Sequence, residues 1–247
     1  MEAVSTSWCK PILSVLPSFL VAVSACAQMS FEAQRNALAD EIERDVRETR
    51  SYTGRSRLDA AVMDAIRTVP RHDFVPAEFR DFAYVNRPLP IGDGQTISQP
   101  YIVALMTDLA EVGPGSTVLE VGTGSGYQAA VLAEIVDHVY TIEIIGALGR
   151  GAAATLERLG YDNVTVRIGD GYLGWPEHAP FDAIVVTAAP DAVPPPLIEQ
   201  LKVGGKLVVP VGPVGRGQSL QVLEKTPDGD ITTTDVLPVR FVPLTRD

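Results

Sequence analysis

Hydrophobic positions along the chain fall into two regimes. Through residues 32–50, Leu38, Ile42 and Val46 recur at four-residue steps among charged neighbours, which predicts a helix with a single apolar stripe. Residues 51–57 read as a connector. Asp59 is placed as the N-cap of a helix over 60–68, with Leu58 and Met63 spaced for a hydrophobic staple and Pro70 ending it. Residues 71–100 are rich in proline, glycine and aromatics and read as an ordered loop. Pro100 then suits the first turn of a helix reaching about residue 111.

From residue 117 the pattern changes. Short β-branched runs at 117–121, 139–142, 164–168, 181–187 and 206–211 alternate with helical stretches such as 127–135 and 147–159. Near-continuous apolar strands joined by helical crossovers indicate a doubly wound α/β fold, its mostly parallel sheet covered on both faces. Residues 219–224 and 231–237 flank Pro227-Asp228-Gly229, a hairpin turn sequence, so an antiparallel C-terminal edge is expected. Residues 32–115 thus form a helical and loop region, and 116–247 an α/β core.

The first 25 residues stand apart. Lys10 precedes an apolar run, residues 11–25, too short to span a bilayer comfortably but matching the core of a secretory signal peptide, with Val23-Ser24-Ala25 as its cleavage signature. Cys26 follows at once, and Val23-Ser24-Ala25-Cys26 resembles the lipobox of bacterial lipoproteins, whose cysteine is lipidated. The expectation is an exported protein, periplasmic or lipid-anchored through Cys26; a leader without function would leave it cytoplasmic.

Composition narrows the classes. A chain of 247 residues with 46% hydrophobic and 21% charged residues folds around one sizeable core. A net charge of −11 argues against a nucleic-acid partner, which needs many phosphates neutralised. His72, His138 and His178 are scattered without metal-ligand spacing, so no metal is expected. Cys9 would be removed with the leader, which leaves Cys26 without an internal disulfide partner. A monomer is expected.

The strand at 117–121 runs directly into Gly122-Thr123-Gly124-Ser125-Gly126 and then a helix. In a doubly wound sheet, ligands bind beyond the carboxyl ends of the strands, where glycines admit close backbone approach. The third glycine of a dinucleotide fingerprint would fall at Tyr127, whose ring argues against a dehydrogenase. Glu143 ends the following strand, roughly 20 residues on, where a carboxylate accepts from ribose hydroxyls. Asp170-Gly171 follows the third strand, where a carboxylate accepts from an exocyclic amine such as adenine N6. A glycine loop followed by acidic residues after the next two strands makes a nucleoside-binding set.

Four segments carry a resemblance: Val69-Pro70-Arg71-His72-Asp73-Phe74-Val75-Pro76, Gly94-Gln95-Thr96-Ile97-Ser98-Gln99-Pro100-Tyr101, the stretch from Val118 to Tyr127, and that from Gln200 to Gly212. Through them the chain, from about residue 58 to 245, resembles the protein-L-isoaspartate O-methyltransferases. The glycine loop is common to methyltransferases at large, whereas Gln95 to Tyr101 is close to diagnostic. The resemblance implies a methyl transfer from S-adenosylmethionine to the α-carboxylate of L-isoaspartyl residues in damaged proteins and peptides. The ester would then close to a succinimide, whose hydrolysis returns some normal aspartate. It implies Ser98 as the active-site hydroxyl, Thr96, Ile97, Tyr101 and Thr245 at the substrate, and Glu120, Gly122, Thr123, Gly124, Ser125, Gly126, Glu143, Asp170 and Gly171 at the cofactor. Tyr101 stands where some members carry histidine.

Chemistry agrees with the resemblance. A carboxylate is already ionised near neutral pH, so no Ser-His-Asp triad is required, and alignment with exclusion of water becomes the task. Ser98 precedes Pro100, where free N–H groups and the helix dipole favour an anion; alternatively it merely caps that helix. His72 reads as a structural surface residue, Tyr172 and Trp175 as core or adenine-pocket wall. Thr187-Ala188-Ala189-Pro190 shapes the cleft edge, and Phe241-Val242-Pro243-Leu244-Thr245 bounds the substrate cleft. Gly146, Gly149 and Gly151 each cost a helix up to about 1 kcal/mol, so that segment is expected to be loose. Two competitors keep the glycine loop: a methyltransferase for a small-molecule or other protein acceptor, and a binding module without catalysis.

Overall fold

The computed structural model describes residues 29–246 except Val214, so the signal peptide expected at residues 1–25 and the lipid anchor expected at Cys26 lie outside the described residues. Helix α1, Phe31–Glu48, starts at Ser30, whose hydroxyl accepts the Ala33 N–H at 3.2 Å, and it buries Leu38, Ala39, Ile42 and Val46. That is the stripe read from the sequence. A single turn, α2 at Arg50–Thr53, ends at Gly54 in the left-handed conformation. Helix α3, Ala60–Thr68, is capped by the Asp59 carboxylate on the Ala61 N–H at 2.8 Å, with Leu58 and Met63 both buried.

Residues 71–100 are more regular than expected. Two 3-10 turns, Arg71–Asp73 and Ala77–Phe82, lead into an antiparallel hairpin of β1, Leu89–Gly92, and β2, Gln95–Ile97. Strands of four and three residues are too short to display a period of two, and Pro88 and Pro90 mask it further. The turn holds Gly92, Asp93 and Gly94 all at positive φ. Helix α4, Pro100–Leu109, is buried along almost its whole length.

The core comprises β3 (Thr117–Val121), α5 (Tyr127–Ala133), β4 (His138–Glu143), α6 (Gly146–Arg158), β5 (Val164–Ile168), β6 (Phe181–Val186), α7 (Pro195–Glu199), β7 (Leu201–Val211), β8 (Gln218–Lys225) and β9 (Ile231–Val239). The sheet order is β5-β4-β3-β6-β7-β8-β9, parallel from β5 to β7, with β8 and β9 antiparallel at one edge. The chain winds outward from β3 to β5 and then returns to the far side of β3 as β6. The crevice between β3 and β6 is therefore the topological switch point, where ligands bind in such sheets. Helices α1, α3, α4 and α5 share one hydrophobic cluster, so the N-terminal region is packed onto the sheet rather than hung from it.

Strand β7 begins five residues before its expected start. The register with β6 shifts between Phe181 and Ala183, and Gly204 takes φ 78°. A Cβ on Gly205 would stand 2.8 Å from the Asp182 carbonyl oxygen, so glycine lets this irregular start pair. Helix α6 runs unbroken through Gly146, Gly149 and Gly151. A Cβ at Gly149 would lie 3.2 Å from Ile168 and 3.3 Å from Glu143, so this glycine lets the helix approach the ends of β4 and β5 closely.

Candidate active site

Two joined clefts open over the carboxyl ends of β3, β4 and β6. The first, about 750 Å³ counted to its mouth, runs along the glycine loop and Glu143, with Gln95 to Ser98 facing it. The second, about 1450 Å³, lies between the end of α1, the start of α4 and the segment after β9. Thr96, Ser98, Thr187 and Val242 line both, so Ser98 stands where the two meet.

The glycine loop is shaped by what presses on it. Gly122 has φ 100°, and a Cβ there would fall 2.5 Å from the Thr187 hydroxyl, which itself donates to the Gly122 carbonyl at 2.5 Å. Gly124 lies under Ile91 of β1, whose Cδ1 would be 3.3 Å from an added Cβ, so the hairpin rests on the loop. Gly126 is not brought to the cleft. It packs against Ala152 and Leu156 of α6, so its missing side chain lets that helix come close to the end of the loop.

Two carboxylates sit behind this loop. Glu120 is fully buried; the Thr141 hydroxyl donates to its Oε2 at 2.5 Å, and Thr123 donates in turn to Thr141 at 2.6 Å. Its Oε1 has no hydrogen-bond partner among the described residues. Burial, opposed by the Thr141 bond and reinforced by the charge of Glu143, pushes the Glu120 carboxyl up to about 8. Glu143 accepts the Gly124 N–H at 2.7 Å and the Ile145 N–H at 2.9 Å. Asp170 lies off the cleft wall, accepting the Tyr172 N–H at 2.9 Å and pairing with Arg246 at 3.1 Å, while Gly171 lines the cleft.

On the acceptor side, Gln99 and not Ser98 is the N-cap of α4, and no side chain caps it there. The helix-capping alternative for Ser98 therefore falls. The Tyr101 N–H is taken by Asn86 Oδ1 at 3.0 Å, and Asn86 donates to Asp45 at 2.7 Å, so the helix end offers less to an anion than expected. Tyr101 is 4% exposed; its hydroxyl pairs with Thr49 at 2.6 Å, and burial raises its pKa. Ile97 lines the first cleft and not the second. Thr245 also borders the first, so the closing segment bounds both clefts, through Val242, rather than the substrate side alone. Its backbone is tied to Ala189 by the Ala189 N–H to Val242 bond at 2.8 Å and the Leu244 N–H to Ala189 bond at 2.9 Å.

Arg71 is the residue the sequence reading passed over. Its guanidinium is completely buried, Nε donates to the Ala83 carbonyl at 2.9 Å, and Nη2 donates to the Ser98 carbonyl at 2.8 Å. It lies 4.7 Å over the Tyr127 ring, and burial pulls its pKa down to about 10. The only signal was its place in the motif from Val69 to Pro76, between Pro70 and His72. His72, expected at the surface, is wedged instead: it stacks on Phe31 at 4.0 Å and bonds the Tyr84 hydroxyl at 2.7 Å, and burial lowers its pKa. Trp175 belongs to the core beside Tyr140, while the Tyr172 hydroxyl donates to the Leu244 carbonyl at 3.2 Å.

Residues 47–247 match the family described as protein-L-isoaspartate(D-aspartate) O-methyltransferase. Protein-L-isoaspartate O-methyltransferase 2 of Polaromonas sp. strain JS666 is 62% identical over 208 residues, covering 84% of this chain and 99% of that protein. Protein-L-isoaspartate O-methyltransferase 1 of Cupriavidus necator is 55% identical over 237 residues, covering 93% of this chain and 92% of that protein. A solved protein-L-isoaspartate O-methyltransferase superposes with TM-score 0.74 at 30% identity, covering 86% of this chain and 66% of that chain. The fold is shared as well by a Plasmodium falciparum β-aspartate methyltransferase solved with S-adenosyl-L-homocysteine, at TM-score 0.71 and 24% identity, over 86% of this chain and 99% of that one. The chain belongs to the protein-L-isoaspartate(D-aspartate) O-methyltransferase family.

Proposed function

We propose that this chain methylates the α-carboxylate of L-isoaspartyl residues in damaged proteins and peptides, with S-adenosylmethionine as donor. The observation that carries the reading is the position of Ser98 at the junction of a glycine-loop cleft and a second, wider one. The first cleft fits a nucleoside cofactor. A Cβ at Gly122 or Gly124 would crowd its walls, and the unpartnered oxygen of buried Glu120 is left for a donor or cation. Main chain at Gly122 to Ser125 would lie along the cofactor, Glu143 would face the ribose, and Gly171 would leave room for adenine.

S-adenosylmethionine supplies a methyl carbon activated by its sulfonium. The protein's part is to hold the acceptor in line and keep water away. Ser98 donates a hydrogen bond to the acceptor carboxylate and so orients one oxygen, with Thr96 and Tyr101 forming the wall around it. Since that carboxylate is ionised near neutral pH, no residue has to remove a proton.

The test is transfer of labelled methyl groups to an isoaspartyl peptide and to its normal aspartyl twin. Labelling of the first alone supports the reading. Equal labelling of both, or of a small acceptor only, would favour a different acceptor class. The export reading rests on residues 11–26 alone: a periplasmic or lipid-anchored protein starting at Cys26, checked by mass analysis of the mature N-terminus. We also read the protein as a monomer without a nucleic-acid partner, checked by sedimentation.

A further inference from the structure

Arg71 poses a physical question. A buried guanidinium is costly unless its donors are used, and an ion pair is the usual compensation. Among the described residues no carboxylate pairs with it. Its donors meet main-chain carbonyls instead, at Ala83 (2.9 Å), Ser98 (2.8 Å) and, more distantly, Arg87 (3.5 Å), and the Tyr127 side chain beside it partly offsets the cost of burial. The Tyr127 ring completes the cage at 4.7 Å. An apolar side chain in this space would leave the Ala83 and Ser98 oxygens without their donor, so what the guanidinium contributes is where those two carbonyls point.

The consequence falls on the peptide joining Ser98 to Gln99. In a trans peptide the C=O and the next N–H point in opposite directions. With its oxygen drawn to Arg71 in the core, the Gln99 N–H is turned outward, and Gln99 lines the second cleft. No acceptor among the described residues takes that N–H. We infer that Arg71 is a positioning residue that holds the Ser98–Gln99 peptide so that the Gln99 N–H, beside the Ser98 hydroxyl, binds the acceptor carboxylate. The paired donors give one carboxylate two anchored contacts, which a single hydroxyl would not. This inference rests on the proposed reaction and adds a donor to it.

Proline at position 99 removes the N–H while the backbone keeps its path. Gln99 has φ −54° and ψ 131°, within reach of proline and suited to the residue before Pro100. The comparison is Gln99→Pro against Gln99→Ala, which keeps the N–H, and wild type against Arg71→Lys, whose ammonium cannot hold the Ala83 and Ser98 oxygens together. Three quantities are read: kcat/KM for an isoaspartyl peptide, affinity of that peptide for the S-adenosylhomocysteine complex, and affinity for S-adenosylhomocysteine itself. Gln99→Pro is expected to fall about tenfold or more below Gln99→Ala in the first two, with the third within about twofold. Arg71→Lys is expected to follow the same split. A folded Gln99→Pro within twofold of Gln99→Ala overturns the inference, and it decides the matter alone if Arg71→Lys does not fold. An Arg71→Lys that loses cofactor and peptide affinity equally also overturns it, because the arginine would then act through Tyr127 on the glycine loop. A wild type that labels no isoaspartyl peptide overturns the proposed reaction, and this inference with it.

Discussion

Thr141 donates its hydroxyl proton to Glu120 across 2.5 Å at a depth where neither side chain meets solvent. That bond satisfies one carboxyl oxygen and leaves the other bare. Because the folded pKa is raised to about 8, the native state keeps a proton that the unfolded chain releases above about 4.5. The sign is therefore opposite to that of a salt-bridged acid. Stability falls as pH rises from the unfolded value through the folded one, and the penalty is complete above about 8. Melting curves of wild type and Glu120→Gln, without ligand, should diverge between these limits, with the wild type losing more on the alkaline side. Parallel curves would contradict the burial argument.

The same carboxyl should sense charge in the cleft it lines. An ionised Glu120 favours a cation, so affinity for S-adenosylmethionine should rise from pH 6.5 to 8.5 by more than affinity for S-adenosylhomocysteine, which lacks the sulfonium. A change of about three- to tenfold in the ratio is expected, and Glu120→Gln should flatten it. Calorimetry in buffers of different ionisation enthalpy would register the proton released.

Glycines in the chain separate into required and tolerated positions. Gly122→Ala combines φ 100° with a Cβ 2.5 Å from the Thr187 hydroxyl, so it should cost about 1–3 kcal/mol and weaken cofactor binding. Gly151 lies inside α6 with nothing near a new Cβ, so Gly151→Ala should gain about 0.5–1 kcal/mol and leave cofactor affinity alone. Chemical denaturation with a cofactor titration of each variant checks both signs.

Legibility followed burial. Strands β3 and β6 run in the middle of the sheet with both faces covered, so each is a near-continuous apolar run, whereas the edge strand β5 showed through its β-branched residues; the limits of β3 to β6 all lie within one residue of those read from the chain. The hairpin of β1 and β2 was missed because strands this short carry no period. Arg71 was missed for a different reason. What buries it comes from Ala83, Ser98 and Tyr127, distant along the chain, and no local pattern marks an arginine whose partners are carbonyls. Motif order placed Glu143, Gly171 and the loop from Gly122 to Ser125 at the cleft, but not which face Gly126 presents or which ion pair engages Asp170. Those depend on α6 and on Arg246, which packs over Tyr172 at 4.7 Å.

Steady-state methylation of an isoaspartyl peptide by Ser98→Ala, with S-adenosylhomocysteine affinity measured on the same preparation, bears most directly on the junction of the two clefts. The account predicts a loss of about tenfold or more in kcat/KM for the peptide with cofactor affinity within about twofold, since the proposed hydrogen bond of the hydroxyl goes to the acceptor carboxylate. Wild-type kinetics in this variant, or a loss matched by weaker cofactor binding, would contradict it.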